Sequence, residues 1–221
     1  MSVVFASESA GLVYPDGTQA LTDTSVIVTA GEFVSIVGPS GCGKSTLLRM
    51  ASGLIAPTSG SISRTGTVQF VFQDSTLLPW RTVRKNVALN LELQKVDQHI
   101  IDGRTSAALA LVGLTDSAEK LPRKLSGGMK MRTSLARSLV CEPDLYLFDE
   151  PFAALDEFSR ERLNIELRTM LSSRNAGSLF VTHSIAEAVF LSHRVLVMSP
   201  RPGSIGTVHT LALIGAGPQP E

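Results

Sequence analysis

The chain has 221 residues, 20 Lys plus Arg against 20 Asp plus Glu, and 43% hydrophobic residues. That length suits one large domain or two small ones with a sizeable core, and the lack of a basic excess argues against a nucleic-acid binder. Cys42 and Cys141 lie far apart and make neither a metal-binding spacing nor a disulfide framework, which points to a reducing compartment.

In chain order, the first thirty residues and 61–67 predict short strands of a small antiparallel sheet. The opening MSVVFASESAGL lacks the basic and long apolar regions of a secretory signal. The run FVSIV, 33–37, is apolar, rich in β-branched residues and ends at a glycine, so it predicts a buried strand. GPSGCGKST and a helical LLRMASGL follow. Further strands are predicted at 68–72 (VQFVF), 145–148 (LYLF), 179–182 (LFVT) and 195–198 (VLVM). From about 78 to 142 the chain reads as helical, which predicts an inserted helical subdomain. In 160–171, Leu163, Leu167, Met170 and Leu171 recur at helical spacing with charges opposite. Strands alternating with helices predict an α/β fold with a largely parallel sheet. The most apolar stretches, 107–114 and 205–217, are too short or too glycine-rich to span a bilayer, which needs roughly 20 apolar residues. The tail 215–221 is expected to fray.

Three motifs carry chemistry. Gly38-Pro39-Ser40-Gly41-Cys42-Gly43-Lys44-Ser45 fits G-x-x-x-x-G-K-[ST] with a strand before and a helix after. Its glycines let the backbone wrap a phosphate with N–H groups pointing inward, and the helix N-terminus faces the same anion. Lys44 then reaches the β- and γ-phosphates of ATP, and the Ser45 hydroxyl can ligate Mg²⁺. In Leu145-Tyr146-Leu147-Phe148-Asp149-Glu150 an apolar strand ends in two carboxylates. Asp149 can hold the Mg²⁺ shell, and Glu150 can polarise a water for in-line attack. In Leu125-Ser126-Gly127-Gly128-Met129 a helix N-cap and two glycines make a second phosphate-binding helix terminus, one more than a simple P-loop enzyme needs.

LSGGM followed by KMR, set between the P-loop and LYLFDEP, resembles the ABC ATPase family. The resemblance runs from about Ser7 to Gly203. It implies a P-loop NTPase of the ABC ATPase type: a RecA-like core with an N-terminal antiparallel β-subdomain (1–77 and 143–214) and an inserted helical subdomain (78–142). Gln73 is similar to the Q-loop glutamine that touches Mg²⁺ and senses the membrane partner. Ala154-Leu155-Asp156 is similar to the D-loop, and His183 to the switch histidine at the γ-phosphate. Tyr14 is similar to the aromatic that stacks on adenine, and Thr46 completes the ATP-binding loop. The family implies a head-to-tail homodimer in which Ser126, Gly127 and Gly128 of one copy face the γ-phosphate held by the other.

FVFQDSTLLPWRTVRKNVALNLEL, DEPFAALDEFSRERL, FVTHSIAEAVFLSHRVLVMSPRPGSI and LSGGMKMR resemble importer ATPases of the nitrate/sulfonate/taurine type. That implies permease subunits contacting the region Gln73 to Arg81, an extracytoplasmic solute-binding protein acting through them, and a peripheral place on the cytoplasmic face of a bacterial inner membrane. Trp80 reads either as a permease contact or as a core residue of the helical subdomain. Longer sugar-importer ATPases carry a regulatory domain after the last strand, and from the resemblance none is expected here. Met129, Met131 and Ala153 depart from the usual family residues, glutamine at the first two and serine at the third. Two other readings are a soluble ABC ATPase outside transport, such as an Fe–S assembly factor, and a nucleotide-sensing module without turnover. The single cassette, the LLPWR segment and the retained Glu150 and His183 favour the importer. His99, His193 and His209 have no motif around them.

Overall fold

The computed structural model describes residues 2–211. Its strands and helices, in order, are β1 (Val3–Val13), β2 (Gln19–Thr29), β3 (Phe33–Val37), α1 (Lys44–Ser52), β4 (Ser59–Arg64), β5 (Val68–Val71), α2 (Val83–Leu93), α3 (Gln98–Leu111), α4 (Gly127–Leu139), β6 (Leu145–Asp149), α5 (Glu157–Ser172), β7 (Gly177–Val181), α6 (Ile185–Leu191), β8 (Arg194–Met198) and β9 (Ile205–Thr210). The chain divides into two units. One comprises residues through Val68, Asp144–Leu147 and those from Asn175 on; the other comprises Gln69–Pro143 and Phe148–Arg174.

In the first unit β1 lies between β2 and β4, antiparallel to both. The sequence predicts short strands here, yet β1 and β2 each run 11 residues. Register shifts at Ser7/Ala10 and Ala10/Leu12, with left-handed backbone at Ser9 (φ 46°) and Asp23 (φ 41°), explain the mismatch. Bulges break the alternation that marks a strand in sequence without ending the pairing.

The larger sheet has the order β5-β6-β7-β3-β8-β9. β3 is parallel to β7 and β8, with Val34 opposite Leu179 and Ile36 opposite Leu196. Val34 and Ile36 are fully buried, as a strand covered on both faces requires. Ile36→Ala should therefore cost about 2–5 kcal/mol of unfolding free energy by urea titration, since the sheet centre collapses poorly around a void. His193 anchors β3 to the start of β8. Its Nδ1 accepts from the Phe33 N–H at 3.0 Å, and its own main-chain N–H donates to the Phe33 carbonyl at 2.9 Å. β9 pairs antiparallel with β8 as an edge strand. It escapes sequence reading because IGTVHT is mostly exposed and has no apolar run. The expectation for 215–221 lies outside the described residues.

The second unit is built on capped helices. Thr82, Asp97 and Ser126 accept side-chain bonds from Lys85 N, His99 N and Met129 N at the starts of α2, α3 and α4. Val83, Val87 and Leu91 of α2 are buried, as are Leu135 and Leu139 of α4. The unit reaches beyond the helical stretch 78–142 read from sequence, because α5 joins it. Arg174 just after α5 donates to the Leu139 carbonyl at 3.1 Å and the Cys141 carbonyl at 2.8 Å. Leu163, Leu167 and Leu171 of α5 are buried, whereas Met170 stays partly exposed. Among the described residues no helix is long and apolar enough to cross a membrane.

Candidate functional site

Three adjacent strands of the first unit deliver residues to one edge. The loop Gly38 to Gly43 leaves the carboxyl end of β3, the place where open α/β sheets hold ligands. Gly41 (φ 75°) and Gly43 (φ 103°) curl it through left-handed backbone, the kind of turn whose N–H groups can line an anion-binding hollow. A Cβ on Gly43 would stand 2.8 Å from the Ala20 carbonyl oxygen and 2.6 Å from Leu21 Cδ2. Only glycine fits there. α1 starts at Lys44, so its partial positive end opens into the same hollow. Lys44 is 5% exposed, and its ammonium donates to the Gly38 and Pro39 carbonyls at 2.8 and 2.9 Å. Thr46 is buried, with its Oγ1 3.1 Å from the Tyr14 hydroxyl. A curled glycine loop, a buried ammonium and a helix N-terminus fit a polyphosphate. Cys42 packs inside the loop at 1% exposure, its Sγ 3.9 Å from Lys44 Nζ.

β7 runs beside β3, and the Thr182 N–H donates to the Ile36 carbonyl at 3.3 Å, so His183 leaves next to the loop. The residues flanking His183 are pinned. Thr182 Oγ1 donates to the buried Glu187 carboxylate and accepts from Ser184 N at 3.0 Å, while Ser184 Oγ caps α6 through Glu187 N. On the other side, β8 leads to Arg201, whose Nε donates to the Gly41 carbonyl at 3.2 Å.

The second unit holds the remaining predicted residues. Asp149, 3% exposed, ends β6. Glu150 follows at φ 49°, a left-handed conformation costly for a residue with a Cβ. Such strain collects where function requires it. Gln73 is exposed just past β5. At the start of α4 a Cβ on Gly127 would meet open space, but one on Gly128 would lie 3.3 Å from Leu155 Cδ2 and 3.5 Å from the Ala154 carbonyl oxygen. The Ser126-Gly127-Gly128 turn and the Ala154-Leu155-Asp156 segment thus pack together. Asp156 caps α5, and the bonds it accepts from Ser159 hold its carboxyl below the usual carboxylate range. Met131 is buried core at 4% exposure. Trp80 is 73% exposed, which removes its core reading.

The predicted residues thus fall in two sets, Tyr14, Gly38 to Thr46 and His183 in one unit, and Gln73, Ser126 to Gly128, Asp149 and Glu150 in the other. Sequence reasoning passes over Glu187, Asn86 and Arg201. Ser184-x-x-Glu187 is a legible capping-box pattern, although Thr182 Oγ1 takes the Ser184 N–H that the Glu187 carboxylate would accept. Asn86, fully buried, accepts from Leu78 N and donates to the Leu78, Arg81 and Thr82 carbonyls, which pins the loop that presents Trp80. An interior asparagine on a helix gives no such signal in sequence. For Arg201 the only hint is a cation between two prolines.

This arrangement of P-loop, strand-end carboxylates and second capped helix start defines an ATPase cassette of the ABC type, and residues 21–153 match the ABC_tran model, described as ABC transporter. The chain belongs to the ABC transporter family, with the P-loop ABC ATPase fold. It is 44% identical to the nitrate import ATP-binding protein NrtD of Synechocystis sp. over 91% of this chain and 79% of that one. It is 45% identical to the aliphatic sulfonates import ATP-binding protein SsuB 2 of Pseudomonas syringae pv. tomato over 86% and 80%. A dimeric structure of a post-hydrolysis state of the ATP-binding cassette MJ0796, bound to ADP and Pi, superposes with TM-score 0.86 at 28% identity, covering 95% of this chain and all of that one.

Proposed function

We propose that this chain is the ATP-binding and ATP-hydrolysing subunit of an ABC importer for a small anion or organic solute of the nitrate, sulfonate or taurine kind. The observation that carries the reading is the presence of two anion-binding helix starts in separate units, Gly43-Lys44 and Ser126-Gly127. The importer relatives support the transport assignment over a soluble ABC ATPase.

When bound, Mg·ATP supplies the phosphoanhydride whose γ-phosphoryl group passes to water, the metal neutralising charge on the oxygens. Lys44 and the amides of Gly38, Ser40, Gly41, Cys42 and Gly43 hold phosphate charge, with Pro39 shaping the loop, and Tyr14 and Thr46 bind the nucleoside side. Ser45, Gln73 and Asp149 are the residues that would hold Mg²⁺, which would neutralise charge on the phosphate oxygens. Glu150 takes the proton of the attacking water, and His183 orients the terminal phosphate. Ser126, Gly127 and Gly128 serve the phosphate held by a second copy docked head to tail. Gln73 to Arg81, with Trp80 outward, is the permease face; an extracytoplasmic binding protein acts through the permease, at the cytoplasmic face of a bacterial inner membrane.

The test is co-expression with the permease subunits of a nitrate, sulfonate or taurine importer. The expected result is a membrane complex whose ATP hydrolysis rises with the loaded binding protein, and loses that rise in Trp80→Ala. A chain that hydrolyses ATP but retains no membrane protein would move it to the soluble ABC ATPases. A maleimide gives a second check. Cys42 is buried in the phosphate loop, while burial raises the Cys141 thiol above its ordinary value and slows its reaction. MgATP at ten times its Kd should slow inactivation about tenfold; equal rates with and without nucleotide would remove Cys42 from the site.

A further inference from the structure

Arg137 lies about three turns along α4 from its capped start. Its guanidinium is aimed at the loop that follows Gln73. Nη1 donates to the Thr76 carbonyl at 3.0 Å, and Nη2 donates to Thr76 Oγ1 at 2.8 Å and to the Ser75 carbonyl at 3.4 Å. Thr76 has φ 43°, a left-handed conformation that a β-branched residue rarely adopts. Strain of that kind persists only where the surroundings over-determine it, and a planar fork with several donors supplies that constraint where a lysine does not.

A second tether leaves the same turn of α4. Asn90 of α2 donates to the Arg137 carbonyl at 3.3 Å and to Gln69 Oε1, on β5, at 3.1 Å. Gln73 is therefore bracketed. The strand before it and the loop after it are both tied to one turn of the helix that begins with Ser126-Gly127-Gly128.

We propose that Arg137 is the positioning residue for Gln73, holding the strained loop so that α4 and the glutamine move as one body. The inference rests on the ATPase reading above. A displacement at the permease face would then reach the second phosphate cradle through three hydrogen bonds rather than through the hydrophobic core, and the same connection would run in reverse.

The test compares Arg137→Lys, Thr76→Val and their double variant in the full chain, by steady-state ATP hydrolysis, fluorescent-ATP binding, thermal unfolding and amide hydrogen exchange. Arg137→Lys should lower kcat about tenfold, raise the Mg²⁺ concentration that gives half-maximal turnover, and speed exchange in 74–77. Nucleotide affinity and melting temperature should stay near wild type, because the phosphate loop lies in the other unit. Thr76→Val removes one of the three bonds and should give a smaller loss; the double variant should fall short of the product of the singles. Unchanged exchange in 74–77, a multiplicative double variant, or losses of affinity and melting temperature in step with kcat would each reduce Arg137 to a packing residue and overturn the proposal. A wild-type chain without ATP turnover would sink the ATPase reading instead, and the exchange data would still decide whether the clamp exists.

Discussion

Glu150→Gln should lower ATP turnover by about 100- to 10,000-fold while binding MgATP nearly as well as wild type. The substitution keeps the size and hydrogen-bonding reach of the side chain but removes its basicity, so a role in proton transfer is separated from a role in shape. Position 150 sharpens the test. Its backbone sits at φ 49° immediately after the buried end of β6, and glutamine, like glutamate, must accept that strain. A loss of turnover therefore cannot be assigned to a relaxed loop. In the head-to-tail dimer proposed above, with ATP between the copies, a variant that binds but does not hydrolyse ATP should stay dimeric, visible by light scattering with the nucleotide and absent with ADP. Wild-type turnover in Glu150→Gln would take the general-base role from this residue. A fall in nucleotide affinity matching the fall in kcat would make it a binding residue.

Lys44→Ala should act on the other limb, raising the Kd for MgATP by about 10- to 150-fold, the equivalent of about 1.5–3 kcal/mol for charge-assisted hydrogen bonds. The ammonium is 5% exposed and already donates to the Gly38 and Pro39 carbonyls. Its removal takes a cation from the hollow and takes a donor from both carbonyls, the Pro39 carbonyl keeping the Cys42 N–H at 3.4 Å. Calorimetric titration with a non-hydrolysable ATP analogue reads the first effect, and chemical denaturation without nucleotide reads the second. If affinity survives in Lys44→Ala, the loop amides alone bind the phosphates and Lys44 has no binding role. Together the two variants should dissociate binding from chemistry: one binds without turning over, the other scarcely binds.

Much of the candidate site is legible in the amino-acid sequence. The P-loop, the Asp149-Glu150 pair and the capped start at Ser126 are short-range patterns, and the chemistry proposed for them follows from residue type and spacing. The strands β3, β6, β7 and β8 stand out because they are largely buried and carry near-continuous apolar runs. What escapes is long-range or irregular. β1 and β2 read as short because bulges at Ser9 and Asp23 scramble the alternation. β9 gives no signal because an edge strand with mostly exposed side chains needs no apolar pattern. Asn86, Arg137 and Arg201 act on loops through carbonyl acceptors, and a main-chain carbonyl leaves no mark on residue identity. Trp80 fits a buried or an outward place equally well on residue type alone; the loop pinned by Asn86 is what exposes it.

The loop after β3, His183 after β7 and Arg201 after β8 all hang from neighbouring strands whose separation is set by main-chain pairing, about 4.8 Å per step. That pairing is a ruler indifferent to which apolar residue fills the interior. Interior substitutions can therefore accumulate without altering the lateral spacing of the groups at the rim. Engineering that trades one aliphatic residue for another inside β3, β7 or β8 should change how firmly the protein holds together long before it changes where its reactive groups stand.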